Sequence, residues 1–461
     1  MQGGMTRRRL LGGAASAGAG VLLLGRAGSA RSFAANEAAR IALIGVAGRG
    51  LWFSGLLPRT RGMDLVALCD VDEYKARGVF EKFDKTPKFN DFRVMLDKMH
   101  KGIDGVIVAT PDFTHAAASA AIRRGKAAYT EKPLTHHVHE SHVLRRLARE
   151  NKVATQMGNQ GTSSPAFRRS LDLIRQGVLG EVREAWVWCM GGGGGQPRVN
   201  VTDVPCPKTL HWDLWLGPAR YRPYHPMWMR WKVWREFGTN ALGNWGSHSA
   251  NLAFMALDVH SLWHADPADR PRLRLRGGAE KVDTECWPRW WTCTWEVPAR
   301  GKLPPAKIHW LTTGAPAFAT FLQRMKAYDT KLNEHQLPGY PGSHHTGCFL
   351  IGSKGALVAN SHNTTYVLLP EARWKGVELP EQKVPRGIGH EREWVRAIAG
   401  GPAPMSNYDY SGPLNEFLQL ANVASLVPGE DLEYDPLNCR ITNHPKADGL
   451  LRREYRKGWT L

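Results

Sequence analysis

Seven cysteines occur in the 461-residue chain, yet no two form a CxxC pair. A zinc ribbon is thereby excluded, and the odd count leaves at least one thiol unbridged. Cys286 and Cys293 could bridge within a hairpin, though that bridge is not the expectation, and Cys69 reads as a small buried apolar residue on a core strand. Internal repeats are absent, and no apolar run reaches the about 20 residues that span a bilayer, so membrane insertion of the mature chain is not expected. A basic tail and a recognisable nucleic-acid module are missing too. Acids are scarce, 42 Asp and Glu against 61 Lys and Arg, for a formal net charge of +19. The bases are dispersed, so the charge reads as solubility or wall association, and no nucleic-acid partner is expected.

The first 36 residues hold no acid at all but five arginines, Arg7, Arg8, Arg9, Arg26 and Arg31. The paired arginines precede a Gly/Ala-rich apolar stretch ending near Leu24, then small residues with possible cleavage sites at Ala30 or Ala34. This pattern predicts a twin-arginine export signal over 1–36 and a periplasmic or otherwise exported protein. No cysteine follows the apolar run, which argues against a lipid anchor.

Beyond the signal, apolar strand runs at 41–45, 65–70, 105–110, 127–130 and 153–158 alternate with helical patterns at 72–83, 92–99, 115–124 and 138–151. That alternation predicts an α/β doubly wound parallel sheet over 37–160. From residue 161 the pattern changes to a helix at 165–176, a strand at 182–190, a glycine run and a tryptophan- and proline-rich stretch. Strand-like segments at 289–297, 306–312 and 347–359 then follow without helices between them. Residues 161–461 are read as an α+β domain with an open, largely antiparallel sheet and a C-terminal tail packing back.

The chemistry-bearing residues fall at the ends of these strands. Strand 41–45 runs into Gly45-Val46-Ala47-Gly48-Arg49-Gly50, a turn that can bring backbone amides to a pyrophosphate. Asp70, twenty residues after Gly50, can accept ribose hydroxyls. With no arginine directly after it, Asp70 favours NAD over NADP, although Arg49 lies close enough to reach a 2′-phosphate. Thr110, Pro111 and His115 follow the third strand, and Glu131-Lys132-Pro133 follows the fourth. The lysine cation can steady a developing alkoxide, with Glu131 fixing the lysine or contacting ribose. Between Lys208 and Arg235 the chain is crowded with aromatic residues, and Trp212, Asp213, His225 and Arg235 are candidate sugar contacts. The same tryptophans could equally form a structural layer or a subunit interface. His136, His137, His139 and His142 resemble a metal box but read better as the exposed start of a helix. His344-His345 is treated the same way, and no metal site is expected.

Taken together, the segments at 42–50, 69–72, 108–115, 129–133 and 243–248 resemble the glucose–fructose oxidoreductase / inositol dehydrogenase / rhizopine-catabolism (Gfo/Idh/MocA) family. Residues 406–412 and 440–443 are similar to its exported, tryptophan-rich branch. The resemblance implies a nicotinamide-dependent enzyme acting on a carbohydrate, glycoside, cyclitol or related polyol, and a homo-oligomer, dimer or tetramer, built through the C-terminal sheet. It implies His248 as general base beside Lys132, since an unperturbed imidazole suits proton transfer near neutral pH. Two positions depart from the family pattern. Ala47 replaces the usual second glycine, and Asn244 replaces an aspartate four residues before His248, on the same helical face. Asn244 can orient substrate but cannot hold a proton. Three functions therefore stay open: net hydride transfer, redox-assisted cleavage with retained NAD, and sugar binding without catalysis.

Overall fold

The computed structural model describes residues 38–189, 194–195, 199, 204–312, 314–328 and 346–461. The expected export segment and His344-His345 lie outside these residues. Among the described residues no helix is long and apolar enough to cross a membrane.

Six parallel strands form the first sheet: β1 (Ala39–Ile44), β2 (Met63–Cys69), β3 (Lys88–Phe89), β4 (Gly105–Val108), β5 (Ala127–Thr130) and β6 (Thr155–Met157), in the order β3-β2-β1-β4-β5-β6. Their register pairs Ile44 with Cys69 and Val108, Val108 with Thr130, and Thr130 with Met157. One row of strand ends therefore carries Gly45, Asp70, Ala109, Glu131 and Gly158 on a single edge. The order reverses beside β1, and ligands of such sheets bind at that switch point. Helices α1 (Arg49–Leu56), α2 (Glu73–Lys82), α3 (Phe92–Met99), α4 (Ala118–Ile122) and α5 (Val138–Asn151) connect the strands. Asp72 caps α2 by accepting the Lys75 amide at 3.1 Å, as a carboxylate at that position should. The helix expected from His115 instead opens as a 3-10 turn, Asp112–Ala117.

After α6 (Pro165–Arg175) a nine-stranded sheet follows: β7 (Val182–Cys189), β8 (Leu273–Ala279), β9 (Trp291–Val297), β10 (Ala306–Thr312), β11 (Thr346–Gly352), β12 (Gly355–Asn360), β13 (Tyr366–Leu369), β14 (Asp431–Asp435) and β15 (Arg440–Ile441). Its order is β13-β12-β11-β7-β10-β9-β8-β14-β15. Every neighbouring pair is antiparallel except β7 with β10. The segment expected as one strand at 347–359 is two, β11 and β12, turning at Ser353-Lys354.

Tryptophans fill the core of this sheet. Trp291, Trp295 and Trp310 are at most 1 % exposed, and Trp295 stacks on Phe417 at 4.1 Å. Phe417 belongs to helix Tyr408–Ala424, which is buried along nearly its whole length and packs against both α5 and β8. The C-terminal region reaches the first sheet as well. Trp394, Ala397 and Ile398 of helix His390–Ile398 share a core with Ile41, Leu43, Ile107 and Tyr129. All seven cysteines are thiols, Cys286 and Cys293 included.

Candidate functional site

A cleft of about 570 Å³ runs along the shared edge of strand ends. Gly45, Ala47, Gly48, Arg49, Asp70, Thr110, Pro111, Glu131, Lys132 and Asn244, all singled out in the sequence, line it together. Gly50 sits just beneath: a Cβ there would stand 1.8 Å from the Gly45 carbonyl oxygen, so the turn closes only on glycine. Gly48, at φ 56°, faces open space where a Cβ would be, and it begins α1 without a side-chain cap. An uncapped helix start beside open space suits a pyrophosphate.

Asp70 organises this end. Its Oδ2 accepts the Val46 and Ala47 amides at 2.8 and 3.2 Å, and its Oδ1 accepts the Asp72 amide at 3.0 Å. A carboxylate has about four acceptor positions, so capacity for a ribose hydroxyl is left. Burial raises the Asp70 pKa above the usual carboxylate value despite the three amides. Arg49, whose reach toward a 2′-phosphate counted for NADP, is turned elsewhere. Its Nε donates to Glu131 Oε1 at 2.9 Å, and its guanidinium lies 4.1 Å from the Trp52 ring centre. Glu131 also accepts from Gln160 at 3.1 Å and occupies the space where a side chain on Gly158 would go.

Lys132 stands at the other end of the cleft, its pKa lowered chiefly by burial. Its Nζ donates to Asn244 Oδ1 at 3.4 Å, and Asn244 Nδ2 donates to the Asn240 carbonyl at 2.9 Å and to Asp112 Oδ2 at 3.4 Å. Asn244 lies in a π-helical turn, Leu242–Gly246, a rare geometry often found at functional sites. His248 follows it, 4 % exposed, outside the cleft lining, with its ring centre 4.3 Å from that of His362. Burial, then His362, Lys132 and Arg49, hold its pKa well below the ordinary histidine value. The ring is neutral at neutral pH and able to accept a proton, but as a weak base.

Several sequence candidates do other work. His115, 1 % exposed, places its ring nitrogens 2.6 Å from the Pro133 carbonyl and 2.7 Å from the Thr110 carbonyl, joining two loops rather than touching the cleft. Trp212 stacks on Trp215 at 4.7 Å, and its indole N–H donates to the Arg222 carbonyl. Asp213 pairs with Arg456. His225 accepts the Met227 amide at 3.2 Å. Arg235 is buried over Trp287 and donates to the Cys286 carbonyl and to Ser425. The aromatic wall of the cleft is instead Trp215, Trp231 and Trp459, with Lys232 beside them. The histidine run is not the exposed helix start expected of it. His136 is 8 % exposed and His137 half-buried, because Glu140 accepts both their amides at 3.1 and 2.9 Å and fixes the turn inward.

Asp112, Lys232 and His362 had no signal of their own in the sequence. Asp112 and Lys232 stood within segments already singled out, at 108–115 and 208–235, where their charges could have been weighed.

Residues 39–159 match the family described as "Oxidoreductase family, NAD-binding Rossmann fold". A scyllo-inositol 2-dehydrogenase (NAD(+)) of Bacillus subtilis is 30 % identical over 31 % of this chain and 42 % of its own length. A glycosyl hydrolase family 109 protein of Shewanella sp. is 28 % identical over 31 % and 33 %. The chain spans about half the length, or less, of the curated relatives it matches. The WlbA dehydrogenase of Bordetella pertussis, solved with NADH and UDP-GlcNAcA, shares the fold over 86 % of this chain and 98 % of its own, with a TM-score of 0.57 at 14 % identity. The family match makes residues 39–159 an NAD-binding Rossmann fold of the Gfo/Idh/MocA oxidoreductase type.

Proposed function

We propose that the protein is an exported NAD-dependent oxidoreductase acting on a hydroxyl of a carbohydrate, glycoside or cyclitol. One observation carries this reading: a single cleft joins the glycine turn and Asp70 to Lys132 and Asn244. When bound, NAD supplies a hydride acceptor. Asp70 holds the ribose, the Gly45–Gly50 turn the pyrophosphate, and the aromatic wall shields the site from water. Lys132 donates a hydrogen bond to the reacting oxygen, Asn244 holds that lysine in place, and His248 takes the hydroxyl proton.

The similarity to glycosyl hydrolase family 109 proteins favours a second reading, in which NAD stays bound and transient oxidation assists cleavage of a glycoside. Export through the 1–36 segment and assembly through the second sheet belong to the same proposal. The test is to incubate the purified protein with neutral and acidic sugars, glycosides and cyclitols while following the near-ultraviolet absorbance of NADH. NADH accumulating with product supports net oxidation. Cleavage without accumulation selects the second reading, and a protein that neither binds NAD nor turns over any of them sinks both.

A further inference from the structure

Outside the lining of the cleft, three side chains from three elements converge. His142 Nδ1 comes from α5, a Glu416 carboxylate oxygen from helix Tyr408–Ala424, and Cys439 Sγ from the turn between β14 and β15. The three atoms lie within 4.8 Å of one another. Glu416 is 0 % exposed. Its Oε2 accepts the Trp263 indole N–H at 2.7 Å and the Tyr434 hydroxyl at 2.5 Å. Its Oε1 has no hydrogen-bond partner, and the His142 Nδ1 atom, itself buried and without one, stands 3.7 Å away. A buried carboxylate oxygen without a donor is costly and calls for an ion or a proton. Cys439, 2 % exposed, occupies a left-handed backbone position at φ 51° that asparagine or glycine would fill with less strain.

We propose that His142, Glu416 and Cys439 form a structural site for a divalent zinc-like cation, separate from the nucleotide cleft. The donor set decides the class. One imidazole, one carboxylate and one thiolate match the nitrogen, oxygen and sulfur ligands of zinc, whereas calcium and magnesium take oxygen alone. Thiolate and carboxylate together neutralise the two positive charges of the ion. The thiol proton leaves to solvent when the metal–sulfur bond forms, with no redox change. Tetrahedral zinc at its usual bond lengths places ligand atoms about 3.3–3.8 Å apart, so side-chain rotation of roughly an ångström closes the site. Trp263 and Tyr434 already hold the other carboxylate oxygen, as groups behind a metal ligand do. The His142 side chain is 21 % exposed and gives the ion a way in, and water can complete the fourth position. Such an ion would fasten the helix after the lysine loop to the C-terminal hairpin.

Cobalt titration of the chelator-stripped full-length protein tests the site independently of any turnover. One equivalent of Co²⁺ should give visible bands of a tetrahedral ion and a thiolate charge-transfer band, both bleached by Zn²⁺. Cys439→Ser should lose the charge-transfer band, and His142→Gln, at the partly exposed ligand, should weaken Co²⁺ binding by about tenfold or more. Zinc should also raise the melting temperature of the wild type and not of either variant. Absence of the tetrahedral spectrum in the wild type overturns the proposal, and so does a spectrum unchanged in His142→Gln. The second result stands even if Cys439→Ser does not fold.

Discussion

Asp112 changes how Asn244 is understood. Its Oδ2 accepts the Thr239 amide at 3.0 Å and hydroxyl at 2.5 Å as well as Asn244 Nδ2, so the negative charge missing at 244 is held one residue deeper. Asn244→Asp would set two carboxylates against each other, and like charges that close disfavour joint ionisation. The single variant should therefore melt lower at neutral pH and recover part of the loss on mild acidification. In the double variant Asn244→Asp/Asp112→Asn the charge moves next to Lys132 and His248 without repulsion. An anion there raises a histidine pKa, so the acidic limb of the pH–rate profile should shift to higher pH. An unmoved limb would take His248 out of the proton transfer. Lys132→Met should leave NAD affinity within a few-fold while turnover falls by about 10²–10⁴. Equal loss of both would make the lysine a cofactor-binding group only.

Among the elements, those whose residues carry their own reason were readable in advance. The runs at 41–44 and 105–108 are short, apolar and bounded by turns, and helices 92–99 and 138–151 were delimited to the residue. Lys88–Phe89 was missed because a two-residue strand has no period. The π turn at 242–246 was missed because it needs helix Tyr408–Ala424 packed against it. The same division holds in the site. Strand-end residues were legible because the parallel sheet itself gathers them. His362 and Lys232 arrive from remote hairpins and turns, and Arg235 goes to a core that only the fold defines. The glycine turn offers a contrast within one element. Gly48→Ala meets no atom but forces a side chain onto φ 56°, which costs about 1–3 kcal/mol, and it should weaken NAD binding more than stability. Gly50→Ala drives a methyl into the Gly45 carbonyl and should collapse the turn, losing both. Calorimetry of NAD binding beside thermal melts separates the two cases.

Across the whole molecule, buried neutral histidines set the response to acid. Burial pushes His260 and His390 down to about 3, His309 to about 4, and His136, His137 and His248 well below the ordinary value. In the unfolded chain each titrates near 6.5, so below that pH the unfolded state binds more protons than the folded one. The stability these groups contribute is complete above about pH 6.5 and is lost as pH falls from there toward 4 and 3. Each adds about 1.4 kcal/mol of loss per pH unit inside the window. Urea midpoints should hardly change between pH 8 and 7 and fall steeply between about pH 6 and 4. A flat profile over that second interval would mean the rings are protonated in the native state.

The sharing of the first core with Trp394, Ala397 and Ile398, and of α5 with helix Tyr408–Ala424, also has a consequence for synthesis. A nascent chain emerges in order, and the strands of the first sheet appear long before the helices that cover them. Until the residues near 424 leave the ribosome, those strands have an open apolar flank and few long-range partners. Folding of the first sheet is thus held back until helices His390–Ile398 and Tyr408–Ala424 have been made. A fragment ending at residue 160 should aggregate or bind chaperones, and adding 386–461 in trans should recover part of its solubility.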